Sequence, residues 1–287
     1  MRFASAVCGS FIILTAMQAA VSAGMPQVTR SGDSLIDAEA LTINGSFGQS
    51  INSLSFQQDP FVSFGGFQYA SFYDAGRKVC LARRQLPDGD WQVIRFADYD
   101  FKSNDAHNII SIGICPADGT IHMAFDHHVH PLHYRVSRRG VALKPESFEW
   151  TAELFGPVLG ELEKGNPIKV TYPRFIQTPD GGLQFCYRRG GSGNGDRMLV
   201  DYHPATAGQP GSWADTRQID SGSGPFEDAV GKSTTRCSYP NGYDYDAAGR
   251  LHTTWVWRES SQGSNHDLVY VYSDDRGRSW RNNAGET

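Results

Sequence analysis

Beyond its first two dozen residues, this 287-residue sequence has no apolar run approaching the ~20 residues a membrane-spanning helix needs. Helical periodicity is nearly absent too, which argues against helical bundles and helix-rich α/β folds. Cysteine is scarce: there are five residues and none stands in C-x-x-C spacing, which argues against a zinc ribbon, and the length rules out a disulfide-dense miniprotein. There is no excess of positive charge either. The formal net charge is −5, and nothing in it suggests a nucleic-acid partner.

The N-terminus carries a distinct pattern. Arg2 precedes an apolar stretch from Ala4 through Phe11, Ile12, Ile13 and Leu14 to Ala20, and Val21-Ser22-Ala23 follows as a small-x-small site. These features read as a signal peptide over residues 1–23, interrupted by Ser10, Thr15 and Gln18 in a way that suits a membrane anchor poorly. The expectation is a secreted protein with no membrane partner, monomeric, whose residues 24–287 form one folded domain. Cys8 would leave with the leader. Cys80, Cys115, Cys186 and Cys237 would remain, either in one or two bridges or as isolated buried thiols.

Aromatic residues make up 12% of the chain and glycines number 31, a combination suited to short strands, many turns and sugar-stacking surfaces. An Asp- and Gly-containing turn followed by an alternating strand recurs along the chain. Examples are Asp118-Gly119-Thr120-Ile121-His122-Met123, Asp180-Gly181-Gly182-Leu183-Gln184-Phe185 and Asp246-Ala247-Ala248-Gly249-Arg250-Leu251, with a weaker copy at Asp74-Ala75-Gly76. Glycine supplies the positive φ of a tight hairpin and the alternation gives a half-buried strand. Gly119, Gly182 and Gly249 lie 63 and 67 residues apart, which fits repeated four-stranded units. Ser273-Asp274-Asp275-Arg276-Gly277-Arg278-Ser279-Trp280 matches the S-x-D-x-G-x-[ST]-W pattern of an Asp-box, a structural hairpin whose carboxylates are not catalytic. The fold expected is an all-β propeller of four-stranded antiparallel blades, with four to five blades in this length. A propeller that stops there would be C-terminally truncated.

The chemistry-bearing residues cluster in four segments. Four histidines fall within Phe125-Asp126-His127-His128-Val129-His130-Pro131-Leu132-His133, where strand alternation would send His127 and His128 to opposite faces. Asn104-Asp105-Ala106-His107-Asn108 lies upstream. Thr171-Tyr172-Pro173-Arg174-Phe175 and Tyr187-Arg188-Arg189-Gly190-Gly191 lie downstream. An arginine fork binds a carboxylate bidentately far better than lysine does. A second cluster, Cys237 with Asp244, Asp246, His252 or His266, would bind metal only if those residues converge in space.

These four segments, in this order, resemble the BNR-type propeller polysaccharide lyases, of which the ulvan lyases are characterised members. The likeness covers about residues 59–280. It implies a seven-bladed propeller, here lacking its last blades, that cleaves a uronate-containing polysaccharide such as a rhamnose–glucuronate or rhamnose–iduronate polymer by β-elimination. It also implies His107 as base or base partner, Tyr172 as general acid and possible base, Arg188 as the group that neutralises the uronate carboxylate, and His127, in preference to His128, completing the catalytic cluster. His128, Asn108, Arg189 and Arg174 are expected to bind substrate. No cofactor is expected for catalysis, and a structural calcium or zinc ion stays open. The alternatives are a sialidase-type glycoside hydrolase and a carbohydrate-binding propeller without catalysis.

Overall fold

The computed structural model describes residues 27, 29–30, 32–42, 51–53, 59–108, 110–227, 229 and 231–287. The expected leader lies outside the described residues. The chain divides into residues 1–35, where Arg30 pairs with Asp33, and residues 36–287, which hold all the strands described.

That larger unit is built almost wholly of strands. The first antiparallel meander runs β1 (Phe61–Phe64), β2 (Phe67–Tyr73), β3 (Lys78–Gln85) and β4 (Gln92–Asp100), each paired with the next. The second holds β5 (Ser111–Ile114) and β6 (Ile121–Ala124). After these, β7 (His128–Pro131) departs and β8 (Tyr134–Val136) returns to pair with β6. The third contains β9 (Lys169–Gln177), β10 (Leu183–Gly191), β11 (Asn194–His203) and β12 (Ser212–Asp220). A hairpin of β13 (Ser223–Glu227) and β14 (Lys232–Thr235) then precedes β15 (Cys237–Tyr245), β16 (Leu251–Arg258) and β17 (His266–Ser273), the fourth meander.

Two cross-links join the meanders. Strand β7 pairs with β9, so the histidine-rich segment is stitched to the edge of the third meander. Gly195 of β11 pairs in parallel with Cys237 of β15, joining the third meander to the fourth.

The turn chemistry behaves as the sequence suggests. Asp118 accepts hydrogen bonds from the Thr120 N–H at 2.9 Å and Oγ1 at 2.7 Å, closing the β5–β6 turn, and its other oxygen accepts from Tyr202 and the Ala205 N–H. Asp246 accepts the Ala248 and Arg250 N–H groups in the β15–β16 turn, both at 2.9 Å. In the Asp-box, Asp275 accepts the N–H groups of Arg278 and Ser279, and Gly277 bends with φ +82°. Trp280 packs against the cluster of Ile176, Cys186, Leu199 and Leu251 between the third and fourth meanders.

The core is layered between meanders. Tyr69, Val79, Leu81, Phe96, Ile112, Met123 and Phe125 fill the space between the first and second. Tyr134, Phe175, Phe185, Val200, Tyr202 and Trp213 fill that between the second and third. The four described cysteines are separate buried thiols, the second of the two expectations. The metal set around Cys237 does not assemble: Cys237 lies opposite Arg258 at one end of β15, whereas Asp244 lies opposite His252 at the other. His252 instead bonds Asp246 and Tyr270, and His266 bonds Glu259 and Asp267.

Candidate active site

Where β7 crosses to β9, the backbone is unusual. Asp126 and Val129 adopt φ of 61° and 63°, and Tyr172 on β9 adopts 52°. Left-handed conformations are costly for such residues, above all a β-branched valine, and persist where the surrounding structure imposes them. The ladders shift register at the same places, between His128 and His130 and between Cys186 and Arg188. Bulges of this kind re-aim side chains. Here they bring His128 and Tyr172 to one spot beside His107 and Arg188.

Asp105 is the hub of that spot. Its Oδ1 lies 2.5 Å from His107 Nδ1 and accepts the His107 N–H at 2.9 Å, while its Oδ2 lies 2.6 Å from His128 Nδ1. Burial pushes the Asp105 carboxyl up, but the hydrogen bonds from His107 and His128 outweigh it and hold the group well below the usual carboxylate range. An ionised carboxylate only accepts, so both imidazoles carry their proton on Nδ1 and keep Nε2 as the basic nitrogen when neutral. The two rings stack with centroids 4.4 Å apart, and both lie about 6 Å from the Tyr172 ring, at 5.8 and 6.0 Å.

Arg188 completes the group. Its guanidinium sits 4.8 Å from the Tyr172 ring centre and 5.0 Å from that of Tyr239, sandwiched between two aromatic faces. The residue is 2% exposed. Among the described residues Nε and Nη2 have no hydrogen-bond partner and no carboxylate pairs with the guanidinium, while Nη1 donates to Cys237 Sγ at 3.6 Å. An uncompensated buried charge of this kind costs several kcal/mol unless an anion or a hydrogen-bond acceptor meets it. Burial raises the Tyr172 hydroxyl far above its ordinary pKa, more than the nearby Arg188 charge lowers it. Tyr172 is therefore firmly protonated.

The structure thus gathers His107, Tyr172, Arg188 and His128. It does not gather the rest of the expected set. His127 is fully buried, with its Nε2 accepting the His133 N–H at 2.8 Å, and it is His128 rather than the expected His127 that lies beside His107. The left-handed residues at Asp126 and Val129 interrupt the strand there, and alternation alone could not decide which histidine turns inward. Asn108, expected to bind substrate, is fully buried and donates its amide to Asp126 Oδ1 at 2.6 Å. Arg189 alternates to the opposite face of β10 and pairs with Asp196 at 2.8 Å. Arg174 borders Tyr172 and Arg188 but aims its Nε at Asp59, 3.7 Å away.

Sequence reasoning missed several neighbours. Asp105 was visible only as part of a polar stretch. Tyr239, whose hydroxyl is 2.7 Å from Ser192 Oγ, and Arg258, 5.1 Å from the Tyr239 ring centre, come from the fourth meander and carry no local motif. Donor atoms of Asp105, His107 and His128 lie within 4.8 Å of one another, a set of the zinc-binding type. The 2.5 and 2.6 Å contacts are those of a carboxylate clamping two imidazoles through Nδ1, which leaves both Nε2 atoms for other work.

Residues 67–287 match the sequence pattern of the BNR repeat-containing family. Among curated proteins, the chain is 25% identical over 278 residues to "Ulvan lyase, long isoform" of Alteromonas sp. (strain LOR), covering 82% of this chain and 27% of that protein. It is 27% identical over 192 residues to the protein of the same name from Pseudoalteromonas sp. (strain PLSV), covering 54% and 19%. The chain therefore spans about a quarter or less of the length of these relatives. Among solved structures it is similar to the crystal structure of polysaccharide lyase Uly1, with a TM-score of 0.71 and 21% identity, covering 88% of this chain and 59% of that one. A PL25 ulvan lyase superposes with a TM-score of 0.60 at 15% identity, covering 87% and 58%. These likenesses show an all-β, propeller-type fold, and with more than half its length matched the chain belongs to the BNR repeat-containing family.

Proposed function

We propose that this chain is a polysaccharide lyase that cleaves a uronate-containing polysaccharide by β-elimination. The observation that carries the reading is Arg188, a buried guanidinium held between two tyrosine rings, with two nitrogens that find no hydrogen-bond partner among the described residues. A uronate carboxylate matches that fork in charge and geometry. Neutralising it acidifies the adjacent C5 proton and stabilises the enolate-like charge that develops when the proton leaves.

The remaining steps fall to residues already in place. His107, its tautomer set by Asp105, takes the C5 proton on Nε2. The C5–H electrons form the C4–C5 double bond, the bond from C4 to the glycosidic oxygen breaks, and Tyr172 donates its proton to the departing oxygen. Burial keeps Tyr172 protonated and so favours the acid role over the base role. His128, fixed by the other oxygen of Asp105, lines the same spot and binds substrate. A solved ulvan lyase of similar fold is described as bound to -[GlcA(1-4)Rha3S]-, which suggests sulfated rhamnose–glucuronate as the first polymer to try. The sialidase-type alternative needs an activated tyrosine nucleophile, and burial of Tyr172 disfavours its ionised form. Export through residues 1–23 would put the enzyme where such polymers occur.

Ultraviolet absorbance of the unsaturated product, followed over a panel of uronate polymers, tests the reading. A rise that vanishes in Arg188→Ala and His107→Ala but survives in Arg189→Ala is the expected result. No rise on any polymer from folded protein would overturn it.

A further inference from the structure

Arginines buried in proteins are ordinarily paired with a carboxylate. Arg188 is paired with a thiol instead. Cys237, fully buried at the start of β15, receives Arg188 Nη1 at 3.6 Å and the Gly193 N–H at 3.0 Å. It lies at the parallel Gly195–Cys237 pairing, so one sulfur ties together the arginine of β10, the glycine loop between β10 and β11, and the start of the fourth meander. Burial raises the thiol pKa against the pull of Arg188, which keeps the sulfur uncharged at neutral pH.

The surroundings sharpen the point. The Tyr172 and Tyr239 faces cover the guanidinium without neutralising it, and Gly195 leaves little room above its stem: a Cβ there would meet Arg188 Cδ at 3.0 Å. Everything that touches Arg188 holds its position, and nothing among the described residues cancels its charge. We propose that Cys237 is a positioning residue whose neutral, weakly accepting sulfur orients Arg188 while leaving its full positive charge for the substrate carboxylate. A carboxylate at position 237 would hold the arginine equally well and would compete with the uronate. This inference deepens the lyase reading and rests on it for the identity of the anion.

The test compares two substitutions of nearly equal size, Cys237→Asp and Cys237→Asn, with Cys237→Ser as the conservative variant and melting curves to verify folding. Two readouts are taken: KM for product formation, and calorimetric binding of a saturated glucuronate-containing oligosaccharide. The expected result is a rise of about tenfold or more in KM and Kd for C237D, with C237N and C237S within about threefold of the unmodified protein. Equal losses in C237D and C237N, or a C237D protein with unaltered KM and Kd, would overturn the inference while leaving the lyase reading intact. Binding lost only in C237D by a protein that never forms unsaturated product would overturn the lyase reading and leave the role of Cys237 standing. A folded, unmodified protein that neither binds nor cleaves would overturn both.

Discussion

At the residue scale, the site is governed by which charges are matched and which are not. Asp105 is matched twice over, by His107 and His128, and its carboxyl is correspondingly acidic. Replacing it with asparagine keeps the size but removes the charge and leaves one accepting oxygen, so at most one of the two imidazoles keeps its tautomer fixed. Loss of a tautomer-fixing carboxylate costs catalysis dearly in comparable acid–base sites, so Asp105→Asn is expected to lower kcat by about 100-fold or more. KM should rise by less, since Arg188 is untouched and only the hold on His128 is loosened, and steady-state kinetics separate the two. Tyr172 supplies the complementary prediction. Tyr172→Phe retains the ring that covers Arg188 and loses only the proton, so oligosaccharide binding by calorimetry should persist while product formation falls at least ~100-fold. Loss of binding together with activity would point instead to a structural role for the hydroxyl.

At the element scale, the turns that space the strands are closed by aspartates and bent by glycines at positive φ, and the Asp-box shows how tightly. Gly277 has φ +82°, and a Cβ there would lie 2.6 Å from Leu199 Cδ2. Gly277→Ala therefore combines left-handed strain with a clash against the core between the third and fourth meanders. A loss of about 2 kcal/mol or more in denaturant unfolding is expected, with KM unchanged because the turn carries no site residue. The same scale explains which site residues were legible. His107, Tyr172 and Arg188 stand in recognisable short segments, whereas Arg189, expected at the site beside Arg188, turns to the other face of β10 and pairs with Asp196. The choice between His127 and His128 was not legible, since it depends on non-glycine residues at Asp126 and Val129 taking left-handed conformations. Nothing in their residue types announces that; the β7–β9 crossing imposes it.

At the scale of the whole molecule, stability should depend on pH through histidines that the chemistry does not use. His122 is fully buried, bonded to Thr120 and Tyr134, and burial lowers its pKa to about 3; burial likewise holds His127 well below its ordinary value. Both are neutral in the folded state and free to protonate when unfolded. Between the unfolded value of about 6.5 and the lower folded value, the unfolded chain binds more protons, so stability falls as pH falls. Each histidine contributes a slope of up to ~1.4 kcal/mol per pH unit in that window and nothing above it. Thermal melts from pH 7.5 down to 4.5 should show a steadily falling Tm below about pH 6.5. His122→Gln should flatten the curve, and a pH-independent Tm would refute this account.

Local chemistry by itself determined the all-β class, the spacing of the turns and the Asp-box, because hairpins and alternation are written in neighbouring residues. It also marked the segments that contribute to the site. Tertiary structure decided what those segments do together. Asp105 became a hub only when β7 brought His128 across to it, and Arg188 became a buried charge with no carboxylate partner among the described residues only when Tyr172, Tyr239 and Cys237 closed around it. Burial then set the protonation of Tyr172 against the pull of the neighbouring arginine. Desolvation and charge pairing depend on contacts between residues far apart in the chain, and no local pattern encodes them.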